Sequence, residues 1–396
     1  MASRNGANGK NRRRRRVVIL GGAAGAFMAA AAMATGAAAP AKADIDALLD
    51  PIIQPLVTSL SDAIAGFDPA AATDLTSWTD SLLASLNSLD VGAALPSSAE
   101  PAAVAASAAS PAASGPFVIP LSVAEDTEPT VQATIAGSSA QTLLVDTGSS
   151  GLVIPWENVG LSQLLSLGFP TSLGFSGYSG GVDYLYLTYN DATVDYGNGV
   201  LTTTNTPIDV EVLSWPTALG SPSSFEQFLA DDKVTGILGI GQHTGGPTTS
   251  PLESYGGVLV DIPDGKLIVD SANPGTAIAT VAGNPIADLF ESLNGGTRVA
   301  VADDVDSGGV FGTIPSSLVS GSSVPPGTTI DVYNSVSGGT LLYSYTTGNL
   351  GTSGYDGPTP VSGNQIDSGV LPFLHEPIYI SYTGDNMSFD VPGSIH

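Results

Sequence analysis

Short runs that alternate apolar and polar residues begin at Phe117 and continue to about Ser394. They are rich in β-branched and aromatic residues, and Gly, Asn, Pro and Ser separate them, as is typical of strands joined by turns. The pattern therefore predicts an all-β domain over this part of the chain. The clearest predicted strands are Thr130 to Ile135, Gln141 to Val145, Tyr184 to Tyr189, Ile208 to Leu213, Val258 to Val260, Lys266 to Val269, Thr329 to Tyr333, Leu341 to Tyr345 and Pro377 to Tyr382.

Minor helix is expected inside the β-rich region, with Glu226 to Leu229 and Ile286 to Leu293 as the best candidates. The region is large for a single β-sandwich, and domains of this size commonly divide. We therefore expect two β-lobes, an N-terminal lobe over residues 117–250 and a C-terminal lobe over residues 251–396.

The chain before the β-rich region has a helical pattern, because apolar residues recur at spacings of three and four over residues 44–91. Pro51 and Pro55 are expected to kink or interrupt the first helix. We predict a short helical pair that acts as a pro-segment or targeting element, or else as a surface hairpin without chemistry. Residues 92–116 are rich in Ala, Pro and Ser, a composition that predicts a linker.

The first 43 residues have the order of an export signal. Arg12 to Arg16 precede an apolar stretch from Val17 to about Ala39, and Ala41-Lys42-Ala43 is a small-x-small cleavage site. An uncleaved membrane anchor is the alternative. The pattern predicts a protein that is secreted or held at the cell envelope.

The charge of the chain is strongly uneven. The 396 residues carry a formal net charge of −26, and eight of the eleven Lys and Arg residues precede Ala43, whereas all 37 Asp and Glu residues follow it. The remainder therefore has three fixed positive charges against 37 acids, which disfavours nucleic acid as a partner. The chain has no Cys, so packing without disulfides must hold the fold, and thiol nucleophiles and thiolate metal sites are excluded.

An internal repeat supports two lobes. The segments that begin at Asp146 and at Asp306 both open with Asp, a hydroxyl residue and Gly, and both have Ile-Pro eight and nine residues after the Asp. A strand that ends in this triplet exposes a carboxylate at a tight turn, where Gly permits the backbone and the hydroxyl orients the acid. Two such turns that face each other would form a pair of carboxyl groups, Asp146 and Asp306.

These residues, Asp146-Thr147-Gly148-Ser149-Ser150 and Asp306-Ser307-Gly308-Gly309, resemble the two active-site loops of pepsin-like aspartic proteases. Within that family the chain is similar to the aspartic-protease domains at the C-termini of mycobacterial PE and PE_PGRS surface proteins. Gly236 to Gly241 resembles the segment that closes the first active-site loop. Pro372 to Tyr382 resembles its counterpart in the second lobe, except that His375 stands where Gly is expected. The resemblance covers roughly residues 117–394.

The resemblance implies a bilobal pepsin-like fold and an aspartic endopeptidase that needs no metal or cofactor. A pair of carboxyl groups sharing one proton would activate water, with Asp146 and Asp306 as catalytic residues. Thr147, Gly148, Ser149, Ser307 and Gly308 would support them. The substrate would be a protein or peptide bound in extended form. A monomer is expected.

A flap is the other expected part of the site. Val194 to Gly199 resembles the flap hairpin of the family, and Asn198-Gly199 is a strong turn signal, so Tyr196, Gly197, Asn198 and Gly199 are predicted to cover the substrate. Tyr189 is the alternative flap tyrosine, and an ordinary strand tyrosine is the alternative without function.

Several alternatives stay open. Gly309 lacks the hydroxyl expected at its position, and with His375 it supports a second hypothesis, a non-catalytic surface protein that keeps the lobes for binding. Asp367-Ser368-Gly369 is an alternative second acid, although Ile-Pro does not follow it. Gly177 to Gly181 fits the G-x-S-x-G pattern of serine hydrolases but reads as a loop.

No metal site is predicted. His243, His375 and His396 lack metal-ligand spacing, and Asp303 to Asp306 lack the Gly and Glu of a calcium loop.

Overall fold

The computed structural model describes residues 115–179, 181–218, 220–348 and 357–394. The predicted export signal, the helical pair and all but the last two residues of the linker lie outside the described residues.

Within the described residues the chain forms twenty β-strands, so the prediction of an all-β domain is confirmed. Many strands alternate buried and exposed residues, as expected for sheets with one face on a core. The strands are β1 Phe117–Ala124, β2 Glu128–Ile135, β3 Gln141–Asp146, β4 Ser150–Pro155, β5 Ser172–Tyr178, β6 Val182–Tyr196, β7 Leu201–Pro216, β8 Gly236–Ile240, β9 Gly257–Asp261, β10 Lys266–Val269, β11 Ala277–Ala282, β12 Ile286–Leu293, β13 Val299–Asp304, β14 Thr313–Pro315, β15 Thr329–Tyr333, β16 Leu341–Thr346, β17 Thr359–Val361, β18 Gln365–Asp367, β19 Ile378–Ser381 and β20 Asn386–Asp390.

Helix is a minor component, and the helices in the described residues are short. They are α1 Trp156–Val159, α2 Leu161–Ser166, α3 Phe225–Asp231 and two 3₁₀ turns, Glu253–Tyr255 and Ser316–Leu318. The helix predicted at Glu226 to Leu229 is confirmed within α3. It begins after Ser224, whose hydroxyl accepts a hydrogen bond from the Gln227 N–H at 3.2 Å.

The helix predicted at Ile286 to Leu293 is wrong, because this segment is strand β12. Its buried residues Ala287, Leu289 and Glu291 alternate with more exposed ones, which is the period of a strand. Ile286 to Glu291 pair with β13 and Phe290 to Leu293 pair with β15, so every residue of β12 has a strand partner.

The largest sheet has thirteen strands in the order β11, β20, β19, β9, β10, β1, β2, β3, β8, β4, β7, β6 and β5. Strand β1 joins its two halves. Phe117 to Pro120 pair with β10, which is bonded onward to β9 and β19, whereas Leu121 to Ala124 pair with β2. The first strand of the domain therefore contributes to the pairing of both halves.

A five-stranded sheet in the order β16, β15, β12, β13, β18 and a small pair of β14 with β17 complete the second half. Both halves contain a parallel pair next to an Asp loop: β3 with β8 in the first half and β13 with β18 in the second. The repeat seen in the sequence is thus also a repeat of topology.

The core is one large apolar cluster to which both halves contribute, including Leu143, Val145 and Ile154 from the first half and Val301 and Phe373 from the second. Burial of such side chains removes apolar surface from water and provides the main stabilising free energy in a chain without disulfides.

Among the described residues, none of the helices has both the length and the apolar character needed to cross a membrane.

Candidate active site

The first Asp loop follows strand β3, which is buried and ends at Asp146. β3 runs parallel to β8, with Leu143 opposite Gly236 and Asp146 opposite Gly239. A Cβ on Gly239 would lie 2.7 Å from the backbone of Ser150, so only glycine permits the loop to pass this closely. The segment Gly236 to Gly241 thus closes the first loop as predicted.

The second Asp loop follows β13 and is closed by a different segment from the one predicted. β13 runs parallel to β18, with Asp304 opposite Asp367, and a Cβ on Gly369 would lie 2.5 Å from the Val310 carbonyl oxygen. Gly369 is therefore the counterpart of Gly239, and Gln365 to Gly369 close the loop.

The prediction that Pro372 to Tyr382 closes the second loop is wrong. The strand within that segment, β19, pairs with β9 and β20 instead. His375 is exposed. The missing Gly at position 375 therefore has no bearing on the second Asp loop.

Reciprocal hydrogen bonds join the two loops. The Thr147 N–H donates to the Ser307 hydroxyl at 3.0 Å, and the Ser307 N–H donates to the Thr147 hydroxyl at 2.8 Å. Each hydroxyl then donates across to a strand carbonyl of the other half, Thr147 to Val305 at 2.6 Å and Ser307 to Val145 at 2.7 Å. Both side chains are fully buried. These four bonds hold the two loops in a nearly two-fold arrangement.

This arrangement brings the carboxyl groups of Asp146 and Asp306 together. The Gly148 N–H donates to Asp146 Oδ1 at 2.9 Å and to Asp306 Oδ1 at 3.1 Å, and the Gly308 N–H donates to Asp306 Oδ1 at 2.8 Å. A Cβ on Gly148 would lie 2.4 Å from Asp306 Cγ, and one on Gly308 would lie 2.8 Å from Asp146 Oδ1. Each glycine therefore leaves the space that the opposite carboxyl group occupies.

Ser149 completes the first loop, because its hydroxyl donates to Asp146 Oδ2 at 2.5 Å. This short hydrogen bond fixes the orientation of the carboxyl group. The predicted supporting residues Thr147, Gly148 and Ser149 thus all lie at the site.

The surroundings of Asp306 favour the protonated form of its carboxyl group. Burial raises the pKa of the Asp306 carboxyl well above its ordinary value, and the negative charge of the adjacent Asp146 adds to the rise. Two acids in this proximity hold a proton between them at pH values where isolated carboxyl groups would both be ionised.

The second loop differs from the first at one side chain. Gly309 occupies the position of Ser149, and a Cβ there would lie 2.4 Å from Asp367 Oδ1. The carboxyl group of Asp367 thus fills the space that a side chain at residue 309 would need. The alternative second acid of the sequence is therefore present at the site, in addition to Asp306.

The predicted flap residues are found elsewhere. Gly197, Asn198 and Gly199 do form the turn between β6 and β7, all with positive φ, but Gly197 lies against Ile119 and Pro120 of β1. The Gly197 N–H donates to the Gln132 carbonyl at 2.8 Å. This turn contacts the shared first strand, not the Asp pair.

Tyr196 is fully buried, and this burial raises the pKa of its hydroxyl. The side chains that influence the hydroxyl are those of Thr203, Tyr255 and Tyr382. The alternative, Tyr189, is also buried, and burial raises its pKa to about 12. The prediction that Tyr196 covers the substrate is therefore wrong, because this side chain lies in the core.

A different hairpin brings a tyrosine to the site. β5 and β6 pair from Ser172 with Thr188 to Tyr178 with Val182, and the hydroxyl of Tyr178 is hydrogen-bonded with Ser149. Burial raises the pKa of Tyr178 well above its ordinary value, and nearby Tyr184 and Asp146 add to the rise.

The ring of Tyr178 is fixed by stacking. Its centroid lies 5.7 Å from that of Tyr184, 5.8 Å from that of Phe225 and 5.6 Å from that of Phe228. In the sequence analysis the Gly-rich run Gly177 to Gly181 reads as a loop, and no strand is predicted before it, so Tyr178 was missed.

The remaining candidates of the sequence are His243, which is exposed to solvent, and Asp303 and Asp304, which end strand β13 just before Asp306. His243 is exposed and lies 3.6 Å from Asp385. Asp303 is fully buried, and the Tyr343 hydroxyl donates to its Oδ2 at 3.3 Å. The neighbouring Asp304 has a buried Oδ1 without a hydrogen-bond partner, and burial and the charges of Asp367 and Asp146 raise its pKa.

Two Asp-hydroxyl-Gly turns joined by reciprocal hydrogen bonds in a two-lobed all-β chain define an aspartyl peptidase-like protein with a pepsin-like fold. Residues 117–389 match the model of the PE-PGRS C-terminal aspartyl peptidase-like domain. The chain belongs to this family.

Curated relatives agree with this membership. PE cleavage protein A of Mycobacterium tuberculosis (strain CDC 1551 / Oshkosh) is 38% identical over 297 residues, which covers 69% of this chain and 52% of that protein. PE cleavage protein A of Mycobacterium marinum (strain ATCC BAA-535 / M) is 39% identical over 298 residues, with the same coverage. The chain thus spans about half the length of these relatives.

Among solved structures, the crystal structure of aspartic proteinase from Irpex lacteus is similar with a TM-score of 0.49 and 16% sequence identity, covering 70% of this chain and 97% of that one.

Proposed function

We propose that the chain is an aspartic endopeptidase in which Asp146 and Asp306 together activate a water molecule for attack on a peptide bond. The observation that carries the proposal is the set of reciprocal hydrogen bonds between Thr147 and Ser307, which brings both carboxyl groups within hydrogen-bond distance of the Gly148 N–H. A surface that only bound peptides would have no need for this apposition of two acids.

The chemistry uses one proton held by the pair. The ionised carboxyl group accepts a proton from the water, and the protonated one donates to the carbonyl oxygen of the scissile bond. The tetrahedral intermediate then collapses as a proton passes to the leaving amine, so neither a covalent intermediate nor a metal is required. The proton belongs to the pair, and neither Asp146 nor Asp306 has a separate permanent role.

The substrate is an extended segment of a protein. β5 is the terminal strand of the thirteen-stranded sheet, and its end at Tyr178 lies beside Ser149. An extended peptide next to this strand could add main-chain hydrogen bonds to its free edge while its scissile bond reaches the Asp pair. Tyr178, in place of Tyr196, then covers the bound peptide.

The natural substrate is proposed to be a protein of the cell surface, or the chain itself. The relatives are named for cleavage of PE, and the export signal predicted over residues 1–43 would carry this chain to the same side of the membrane as surface proteins. The exposed composition of the linker over residues 92–116 makes it a candidate for self-cleavage.

The test is a cleavage assay with the full chain and a peptide library between about pH 3 and 7, the range over which a shared proton is expected. Wild type is expected to cleave, and Asp146→Asn and Asp306→Asn are each expected to lower kcat by about 10²- to 10⁴-fold, because each loses one member of the acid-base pair. Pepstatin should inhibit wild type.

Asp288→Asn is the matched control, since this aspartate is exposed on β12. The proposal is wrong if folded wild-type protein cleaves nothing that Asp146→Asn leaves intact. That result, together with retained peptide binding, would favour the non-catalytic binding protein instead.

A further inference from the structure

The two Asp loops match in backbone but differ in the group next to each acid. Ser149 donates a hydrogen bond to Asp146, whereas Gly309, at the same position in the second loop, has no side chain with which to do so. The Asp367 carboxyl group occupies that space, because both of its oxygens lie within 2.8 Å of where a Cβ on Gly309 would be.

The backbone holds Asp367 at this position firmly. The Asp367 N–H donates to the Thr313 hydroxyl at 3.0 Å, and Asp367 Oδ1 accepts from the Gly369 N–H at 2.7 Å. The next residue, Ser368, accepts a hydrogen bond from the Asp306 N–H at 3.2 Å. The segment that closes the second loop therefore contacts Asp306 through the Ser368 hydroxyl and places the Asp367 carboxyl group where Gly309 lacks a side chain.

The charges around Asp367 favour its neutral form. Asp146 and Asp306 face it from the two loops, and Asp303 and Asp304 face it from β13. Burial raises the pKa of Asp367 to about 7, and the nearby Asp146 charge adds to the rise. A protonated carboxyl group can donate one hydrogen bond while its other oxygen accepts one, as the bond from Gly369 requires.

We propose that Asp367 is a third acid of the site, a positioning residue whose protonated carboxyl group gives Asp306 the hydrogen-bond donor that residue 309 lacks. In the first loop the donor is the hydroxyl of Ser149. In the second loop residue 309 has no hydroxyl, and the carboxyl group of Asp367 on the neighbouring strand takes its place. This inference rests on the proposed function, because the positioned acid is a member of the catalytic pair.

The test compares Asp367→Ala, Asp367→Asn and the double variant Gly309→Ser with Asp367→Ala. Asp367→Ala is expected to lower kcat by about 10- to 100-fold with KM nearly unchanged, because a donor to a charged group is lost. Asp367→Asn should keep most of the activity, since its amide donates and its carbonyl oxygen still accepts from Gly369. The double variant should regain activity, because the serine introduced at residue 309 would have both the space and the hydroxyl.

The pH profile gives the signature of a protonated donor. Wild-type activity should fall as pH rises through the pKa of Asp367, about 7, and this step should be absent in Asp367→Asn. The idea is overturned if Asp367→Ala keeps the kcat and pH profile of wild type, or if Asp367→Asn and the double variant are both as slow as Asp367→Ala.

An activity-independent measurement separates this inference from the proposed function. In urea unfolding between about pH 4 and 8, wild type should lose stability with rising pH more steeply than Asp367→Asn, and Asp288→Asn should follow wild type. Equal slopes in wild type and Asp367→Asn would refute the protonated donor, whether or not the chain cleaves peptides.

A second, independent observation concerns three glutamates outside the Asp pair. Glu157 of α1, Glu211 of β7 and Glu226 of α3 each have a carboxylate oxygen within 4.8 Å of the others. They are far apart in sequence, so no motif predicted them.

One carboxylate oxygen of the buried member of this group lacks a hydrogen-bond partner. Glu211 is only 1% exposed, and its Oε2 is buried without a partner, whereas Glu157 and Glu226 are exposed. A buried carboxylate oxygen without a partner is costly, and two further carboxylates beside it add repulsion. A cation bound by all three would remove both costs.

The geometry points to a site for a hard divalent cation, Ca²⁺, bound by oxygens of Glu157, Glu211 and Glu226. Calcium accepts several carboxylate oxygens and completes its coordination with water, so the two exposed glutamates leave room for the remaining ligands. The expectation from the sequence that the chain has no metal site would then be wrong at this surface.

The probe is CaCl₂ added to chelator-treated protein, with NaCl at equal ionic strength as the comparison. The Tm of wild type and of Asp288→Asn is expected to rise by about 2 to 8 °C in CaCl₂. Glu226→Gln should lose this response, and without calcium its Tm should equal or exceed that of wild type, because one repelling charge is gone. An equal response in Glu226→Gln, an equal response to NaCl, or none in wild type would each refute the site.

Discussion

The two Asp loops of this protein share a backbone and differ in the side chains around it. In both loops the strand, the hydroxyl after the Asp and the closing glycine correspond, and Thr147 and Ser307 exchange equivalent hydrogen bonds. Only in the first loop does a hydroxyl, that of Ser149, donate a hydrogen bond to the carboxyl group of the Asp. The apposition of the two acids therefore depends on the repeated backbone, whereas the side chains around each carboxyl group differ between the loops.

The largest expected difference between the halves is in their response to pH. The second half contains Glu291, 3% exposed, and burial raises the pKa of its carboxyl group to about 8. In the first half, burial raises the pKa of Asp209 to about 6, although Thr188 and Thr248 donate to it. Because both values are raised, the folded state binds extra protons, and the stability is fully present in acid and lost as pH rises through the folded pKa.

We therefore expect the free energy of unfolding to fall between about pH 4 and pH 8, with Glu291 contributing on the order of 4 kcal/mol. Glu291→Gln should flatten this profile up to about pH 8, and Asp209→Asn should flatten it only up to about pH 6. Urea unfolding at several pH values measures both. A wild-type profile that rises over this range would contradict the assignment.

The reciprocal hydrogen bonds of Thr147 and Ser307 are expected to contribute equally to the free energy of unfolding. Thr147→Val leaves the Ser307 N–H and the Val305 carbonyl without their partner, and Ser307→Ala does the same to the Thr147 N–H and the Val145 carbonyl. Each change should cost about 2 to 4 kcal/mol, because two buried backbone groups are left unsatisfied.

Chemical denaturation of both variants beside wild type checks this prediction. Nearly equal losses are expected. Surface substitutions typically change the free energy of unfolding by up to about 0.5 kcal/mol. A loss smaller than this in either variant would show that the two halves of the arrangement do not contribute equally to stability.

The smallest expected effect separates the two tyrosines. Tyr178→Phe keeps the ring among Tyr184, Phe225 and Phe228 but removes the hydroxyl that bonds with Ser149, so kcat should fall about tenfold, as for the loss of one hydrogen bond. Tyr196→Phe, far from the Asp pair, should leave kcat within about twofold. Steady-state kinetics on one peptide measures kcat for both variants. A larger loss of kcat in Tyr196→Phe than in Tyr178→Phe would support the flap predicted from the sequence.

The sequence predicted the parts of the site that are continuous along the chain. Asp146 and Asp306 were found because each is followed by the residues that build its own turn, and a repeated local pattern is visible without the fold. The prediction of a helix at Ile286 to Leu293 is wrong because a short run of apolar residues fits both the helical and the strand period. Pairing with β13 and β15 makes the segment a strand.

The residues that were missed depend on contacts between distant segments. Asp367 looked like a competing second acid because its triplet matches the motif, and only the parallel pairing of β13 with β18 puts it beside Gly309. Tyr196 was predicted in the flap because a turn follows it, and the turn at Gly197 to Gly199 does form. Pairing of β6 with β2, however, directs that end of the hairpin toward β1. Local sequence determines that a turn forms, and tertiary pairing determines what it covers.

Strand β1 limits where the chain could be cut without loss of the fold. Because Phe117 to Pro120 are bonded to β10 and Leu121 to Ala124 are bonded to β2, these eight residues belong to the hydrogen-bonded ladders of both halves. Cleavage up to Pro116, as in the proposed self-cleavage of the linker, would leave these ladders complete. Cleavage a few residues later would remove strand pairing from both halves at once. If the chain is processed as proposed, its new N-terminus is therefore expected at or before Phe117.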